Sequence, residues 1–149
     1  VHERAMMSQI QEFVPKLPHS VLEYALLYTD VDARGKMTDG VLRDQLTSHL
    51  MNTQAMGLAH QRAFEEGRAG VLDKRSTVYF KAYATEEDKR RDELLMALLG
   101  SAALGWEGDA FSEDELRLTR QFLMNKALSI GGGTTEVQLN LVAKTLGLS

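Results

Sequence analysis

The chain has 149 residues, no cysteine, two prolines and a formal net charge of −4. That length suits one sizeable core rather than two domains, and the lack of cysteine excludes a disulfide framework and a thiolate metal site, which fits a reducing compartment. Interspersed charges of both signs argue against a nucleic-acid-binding surface, and Val, Ile and Thr that are scattered rather than clustered favour helix over sheet.

From Glu3 to about Tyr28, Met6, Met7, Ile10 and Phe13, then Val21, Leu22, Ala25 and Leu26, recur at helical spacing. Pro15 and Pro18 interrupt this face and should kink or divide the helix near Val14, because proline removes a donor and restricts the residue before it. Thr38 is the expected N-cap of a second helix, which carries Leu42, Leu46, Leu50 and Leu58 and ends at Gly67 and Gly70. A third helix is expected from about Ser76 to Gly105, with the charged run from Thr85 to Asp92 facing water. Ser112-Glu-Asp-Glu115 reads as a capping box that opens a fourth helix through Leu128, and a short fifth helix precedes Gly147. Long helices joined by short turns give an all-α fold, an antiparallel four-helix bundle with a short extra C-terminal helix, as one domain over 1–149.

The longest apolar stretch, Leu94 to Trp106, is too short and too glycine-interrupted to span a bilayer, and no signal or transit peptide is visible, so the cytoplasm is the default location. Val1 opens almost directly on a helical pattern with no initiator methionine, which fits a chain cut from a longer protein and equally a native start after methionine removal. A ferritin-like metal centre would need Glu-x-x-His pairs facing inward, and none of His2, His19, His49 or His60 follows a Glu at that spacing. Ser and Thr also lack the His and acid setting of a hydrolase.

The segment with the strongest chemical content is Ile130-Gly-Gly-Gly-Thr-Thr-Glu-Val-Gln138. Three glycines can admit a ligand close to the main chain, and Thr134 or Thr135 can cap a helix whose unpaired amides favour an anion. On residues alone, a plain connector is the commoner reading of a Gly-rich run before a helix.

With the Leu-Asn-Leu-Val-Ala-Lys-Thr-Leu-Gly147 that follows, this segment resembles the C-terminal signature of the acyl-CoA dehydrogenases. His2-Glu3-Arg4, Ala33-Arg34-Gly35-Lys36 and Leu98-Leu-Gly-Ser-Ala-Ala-Leu-Gly-Trp106 resemble, more loosely and in the right order, other parts of that family's C-terminal helical bundle. The resemblance implies that the family's N-terminal helical and middle β-domains are absent from this chain. It implies FAD as cofactor, an acyl-CoA substrate, and an electron-transfer flavoprotein or other electron acceptor. A homo-oligomer or hetero-oligomer is implied as well.

The implied chemistry is α-proton removal by a carboxylate, with the β-hydrogen passing as hydride to the flavin. Many members place the base just before Gly-Thr-Ser, where this chain has Gly132, which cannot serve; a second group places a glutamate in the first helix, and Glu3 matches it. The Gly132 main-chain N–H is implied as a donor to the thioester carbonyl. Gly133, Thr134, Thr135 and Glu136 match the cofactor-facing segment, and Arg34 is the candidate cation for a dinucleotide across a subunit interface. Three departures favour alternatives. The usual Arg-x-x-Phe-Gly is absent, with Val31 and Arg34 in its places; the cofactor-facing Gln is replaced by Leu99 or Gly100; and the first helix carries Pro15 and Pro18. The alternatives are a non-catalytic assembly subunit or a related flavin monooxygenase.

Overall fold

The computed structural model describes residues 17–72, 76–128, 130 and 133–148. Among them are five α-helices, which we label α1 (Val21–Tyr28), α2 (Gly40–Arg68), α3 (Ser76–Leu99), α4 (Glu113–Leu128) and α5 (Thr135–Thr145). An isolated bridge between Val31 and Met37 is the sole β-type pairing among the described residues.

The helix ends show which side chains interrupt the chain. Ser20 opens α1 with a capping box: its amide donates to the Glu23 carboxylate at 2.6 Å, and the Glu23 amide donates to the Ser20 hydroxyl at 3.2 Å. Pro18 lies just ahead of that cap, whereas Pro15 and the expected helix upstream of it lie outside the described residues. The cap of α2 is Asp39, not the expected Thr38. Its carboxylate takes the amides of Val41 and Leu42 at 2.8 and 3.0 Å. Thr38 is engaged elsewhere, its amide and hydroxyl donating to the Asp30 carbonyl at 3.0 and 3.2 Å to close the preceding turn.

The expected third helix also ends early. The α-helical part stops at Leu99, a tighter 3₁₀ turn covers Gly100–Leu104, and Gly105 then leaves in extended conformation. A side chain at Gly105 would place Cβ 2.4 Å from Phe111 Cγ, so the ring occupies the space that a larger residue would need. The Ser112 capping box of α4 forms as expected, with bonds of 2.6 and 3.2 Å between Ser112 and Glu115.

All four other helices pack on α3. Cross-helix pairs fix their directions: His60 meets Phe80 while Asn52 meets Glu87, so α2 runs antiparallel to α3. Thr119 reaches the Ala103 carbonyl while Asn125 reaches Asp92, so α4 is antiparallel too. Thr135 meets Glu86 and Tyr79 meets Thr145, which places α5 beyond α4 along the same flank of α3. α4 and α5 therefore run in tandem down one side of α3, with Gly133 just ahead of the second.

The apolar core sits at the C-terminal end of α3, where Leu94, Leu95, Leu98 and Leu99 pack with Tyr24, Ala25, Met37, Leu46 and Leu118. The Tyr24 hydroxyl donates to Asp114 at 2.5 Å, and burial, helped by that carboxylate, pushes its pKa up so that it remains a donor.

The charged run on α3 departs from expectation. Glu87 and Asp92 are buried rather than solvated. Neighbouring helices supply the bonds that make this burial tolerable. His49 and Asn52 of α2 meet Glu87 at 2.8 and 3.1 Å, and Gln121 and Asn125 of α4 donate to Asp92.

Candidate functional site

Thr134 caps α5, its hydroxyl accepting the Val137 amide at 3.4 Å. The residue before it, Gly133, has φ +105°, a conformation that favours glycine, and an added Cβ would lie 2.8 Å from the Gln138 side-chain nitrogen. Gln138 is buried and folds back beneath the turn from its own helix.

The turn is held from α3 at two points. Lys81 Nζ donates to the Gly133 carbonyl at 3.2 Å, and the Thr135 hydroxyl donates to Glu86 Oε1 at 3.0 Å. Glu86 in turn pairs with Lys89 at 2.7 Å. That lysine first, and the Thr135 hydroxyl with it, hold the Glu86 carboxyl below the usual range. The Glu136 carboxyl is also lowered, by its own backbone amide and by the Thr134 hydroxyl. The cavity between α3 and the turn is about 10 Å³, lined by Lys81, Ala82, Thr85, Gly133, Thr135 and Gln138.

Of the residues singled out in the sequence, Gly133, Thr134, Thr135 and Glu136 are therefore together at the start of α5. Arg34 is not with them. It sits exposed at the tip of the turn between α1 and α2, where Asp32 Oδ1 accepts the amides of Arg34 and Lys36 at 2.8 and 3.0 Å. Met37 at the base of that turn packs in the core with Leu94. Leu94 lies about 13 residues beyond Lys81, roughly 20 Å further along α3. Glu3 and Gly132 lie outside the described residues.

Lys81, Glu86 and Gln138 are the residues that sequence reasoning missed. Gln138 was within the quoted segment. Lys81 and Glu86 lie about 50 positions upstream, and no local pattern connects them to the glycines.

A larger cleft of about 340 Å³ lies between α2 and α3, lined by residues that include Asp44, Ser48, His49, Asn52, Glu87 and Arg90. Its central carboxylate, Glu87, is already shared among His49, Asn52 and Arg90. Among the described residues, no group of three or more His, Asp and Glu is arranged to hold a metal ion.

The sequence model of the acyl-CoA dehydrogenase C-terminal domain matches residues 18–147. The chain belongs to the acyl-CoA dehydrogenase family. Its fold is similar to that of a chain in the crystal structure of the ChsE4-ChsE5 complex from Mycobacterium tuberculosis, with a TM-score of 0.65 and 24% identity. That similarity covers 87% of this chain and 33% of the other, so the present chain spans about a third of the length of the solved one. No curated protein sequence matches it.

Acyl-CoA dehydrogenases generally bind FAD. The start of α5 fits one edge contact with such a dinucleotide, since helix-terminal amides and the Lys81 ammonium beside Gly133 favour an anion. A cavity of about 10 Å³ encloses no cofactor, and Glu86 and Glu136 oppose anion binding there.

The conformation of Gly133 gives a stability prediction. Gly133→Ala should destabilise the chain by about 1–3 kcal/mol, because the positive φ is strained for any side chain and Gln138 must move. Gly57→Ala, within α2 and with open space around it, should instead stabilise by up to about 1 kcal/mol. Urea unfolding of both variants checks this pair, and equal effects would contradict the role assigned to Gly133.

Proposed function

We propose that this chain is the C-terminal helical domain of a flavin-dependent acyl-CoA dehydrogenase, whose complete protein carries out α,β-dehydrogenation of an acyl-CoA thioester. The family match over residues 18–147, which takes in the gripped glycine turn, carries this reading. Glu3 acts as the base for the α-proton, a role that requires an apolar pocket in which a carboxyl pKa rises towards neutrality. The Gly132 N–H holds the thioester carbonyl, and residues 133 to 136 meet the cofactor diphosphate. FAD supplies the hydride acceptor when bound, and an electron-transfer flavoprotein or another acceptor reoxidises it. Arg34, distant from the turn within one chain, serves a dinucleotide bound across a subunit interface.

Assembly is part of the same reading. Val41, Met51, Leu58 and Phe64 along α2 are each at least 60% exposed, apolar side chains open to contact in a homo- or hetero-oligomer. No helix among the described residues is long and apolar enough to cross a membrane, and the reading places the protein in the cytoplasm.

A second reading, a non-catalytic assembly subunit, is favoured by the two carboxylates, Glu86 and Glu136, at the start of α5. Flavin content separates the two. The complete protein should purify with about one flavin per site, whereas the isolated chain should bind it weakly or not at all, because its turn offers an edge contact alone. A flavin-free complete protein would favour the assembly subunit. Tight stoichiometric flavin on the isolated chain would overturn the edge-contact argument.

A further inference from the structure

We infer that α5 is a latch, which separates from α3 as a unit while the core at the other end of α3 stays folded. Its release carries residues 133 to 136 away from α3. The consequence for a cofactor rests on the proposed dehydrogenase reading, whereas the separation rests on how α5 is attached. That attachment is polar. Tyr79 and Thr145 share a hydrogen bond of 3.0 Å near the end of α5, and the Thr135 hydroxyl donates to Glu86 at 3.0 Å at its start. Just ahead of the helix, Lys81 Nζ donates to the Gly133 carbonyl at 3.2 Å. The buried side chain of α5 is an amide, Gln138. No apolar residue of α5 is buried, and Val137, Leu139 and Leu141 are 49, 55 and 43% exposed.

The far end of α3 is held differently, by Leu94, Leu95, Leu98 and Leu99 buried with Leu118 of α4 and Tyr24 of α1. Burying a leucine contributes more than a net hydrogen bond, because the bond replaces one made to water. A helix joined through hydrogen bonds therefore opens at lower cost than one seated on buried leucines. Eleven residues alone are marginal as a helix in water, so α5 loses its helical bonds once released and its amides become open to exchange. Under the dehydrogenase reading residues 133 to 136 meet the cofactor diphosphate. Bound flavin then holds the latch shut, and release frees that edge of the site.

Native-state hydrogen exchange of the 149-residue chain tests the separation. Amides of residues 139–146 should be less protected than those of residues 95–99. Low urea should speed the second group far more steeply than the first, because releasing α5 exposes little surface. Asp92→Ala weakens the core that the latched and released forms share. It should speed exchange at residues 95–99 on the order of a hundredfold and leave residues 139–146 unchanged. Tyr79→Phe, which removes one bond of the attachment, should speed residues 139–146 by up to about tenfold. Equal protection of the two groups with the same dependence on urea would overturn the latch, and so would an Asp92→Ala chain in which both groups speed up by the same factor. In the complete protein, loading with FAD should slow exchange at residues 139–146, and an unchanged rate would overturn the coupling to the cofactor. A complete protein that takes up no flavin would overturn the dehydrogenase reading and that coupling together, while the separation is decided by the result from the 149-residue chain.

Discussion

Glu3→Gln should lower acyl-CoA turnover by the complete protein by at least about two orders of magnitude, the usual contribution of a general base. The substitution keeps the size of the side chain and its hydrogen bonding but removes the proton acceptor, so flavin should stay bound. The base has to reach the α-carbon from somewhere, and position 132, from which many members of the family reach it, carries a glycine here. Adding Gly132→Glu to the Glu3→Gln protein should therefore restore part of the activity, because a carboxylate from either position approaches the same carbon. Steady-state turnover of an acyl-CoA panel checks both variants. Unchanged turnover in Glu3→Gln would remove Glu3 from the reaction.

Asp92→Ala should cost about 3 kcal/mol of stability, towards the low end for removing one partner of a buried charge pair. Asp92 is 2% exposed, and its carboxylate gathers the Arg91 guanidinium and the side-chain amides of Gln121 and Asn125. Alanine leaves those amides buried without an acceptor. The Gln121 Oε1 and Asn125 Oδ1 atoms already have no partner within the chain among the described residues, so these side chains have no alternative bond to compensate. The cost stays near the low end because Arg91, with its side chain 26% exposed, also pairs with Asp88 at 3.0 Å. Combining Asp92→Leu with Gln121→Met and Asn125→Leu should recover most of the loss, since an apolar set of similar volume needs no hydrogen bonds. Urea midpoints of the single and triple variants decide it. A triple variant no more stable than Asp92→Ala would mean that the polar network contributes more than its own satisfaction.

What could be read from the sequence was local. The Ser112 box is a four-residue pattern whose partners are its own neighbours, and it forms as expected. Thr38 and Asp39 are both acceptable caps, and the choice was made by Asp30, which takes the Thr38 amide and hydroxyl. The charge pattern of residues 85–92 suits a solvated face. Only packing against α2 and α4 shows that Glu87 and Asp92 turn inward to waiting donors. The seating of the Phe111 ring against Gly105, just past the 3₁₀ turn, is likewise something that helical periodicity does not encode.

The candidate site divides along the same line. Gly133 and Thr134 announced a turn and a helix start, and at these two residues both are there, while Gly131 and Gly132 lie outside the described residues. The grip from Lys81 and Glu86 was invisible because it depends on α5 lying antiparallel against the first half of α3. The separation of Arg34 from that turn likewise follows from α3 being a long rigid spacer between them.

The most direct measurement of the central claim is anaerobic titration of the purified, flavin-loaded complete protein with acyl-CoA thioesters, following the visible absorbance of the flavin. A member of this family acting as a dehydrogenase should bleach with at least one acyl-CoA and form the corresponding enoyl thioester, and the Glu3→Gln protein should bind the same thioester without bleaching. Flavin that stays oxidised with every acyl-CoA in wild-type protein would contradict the account.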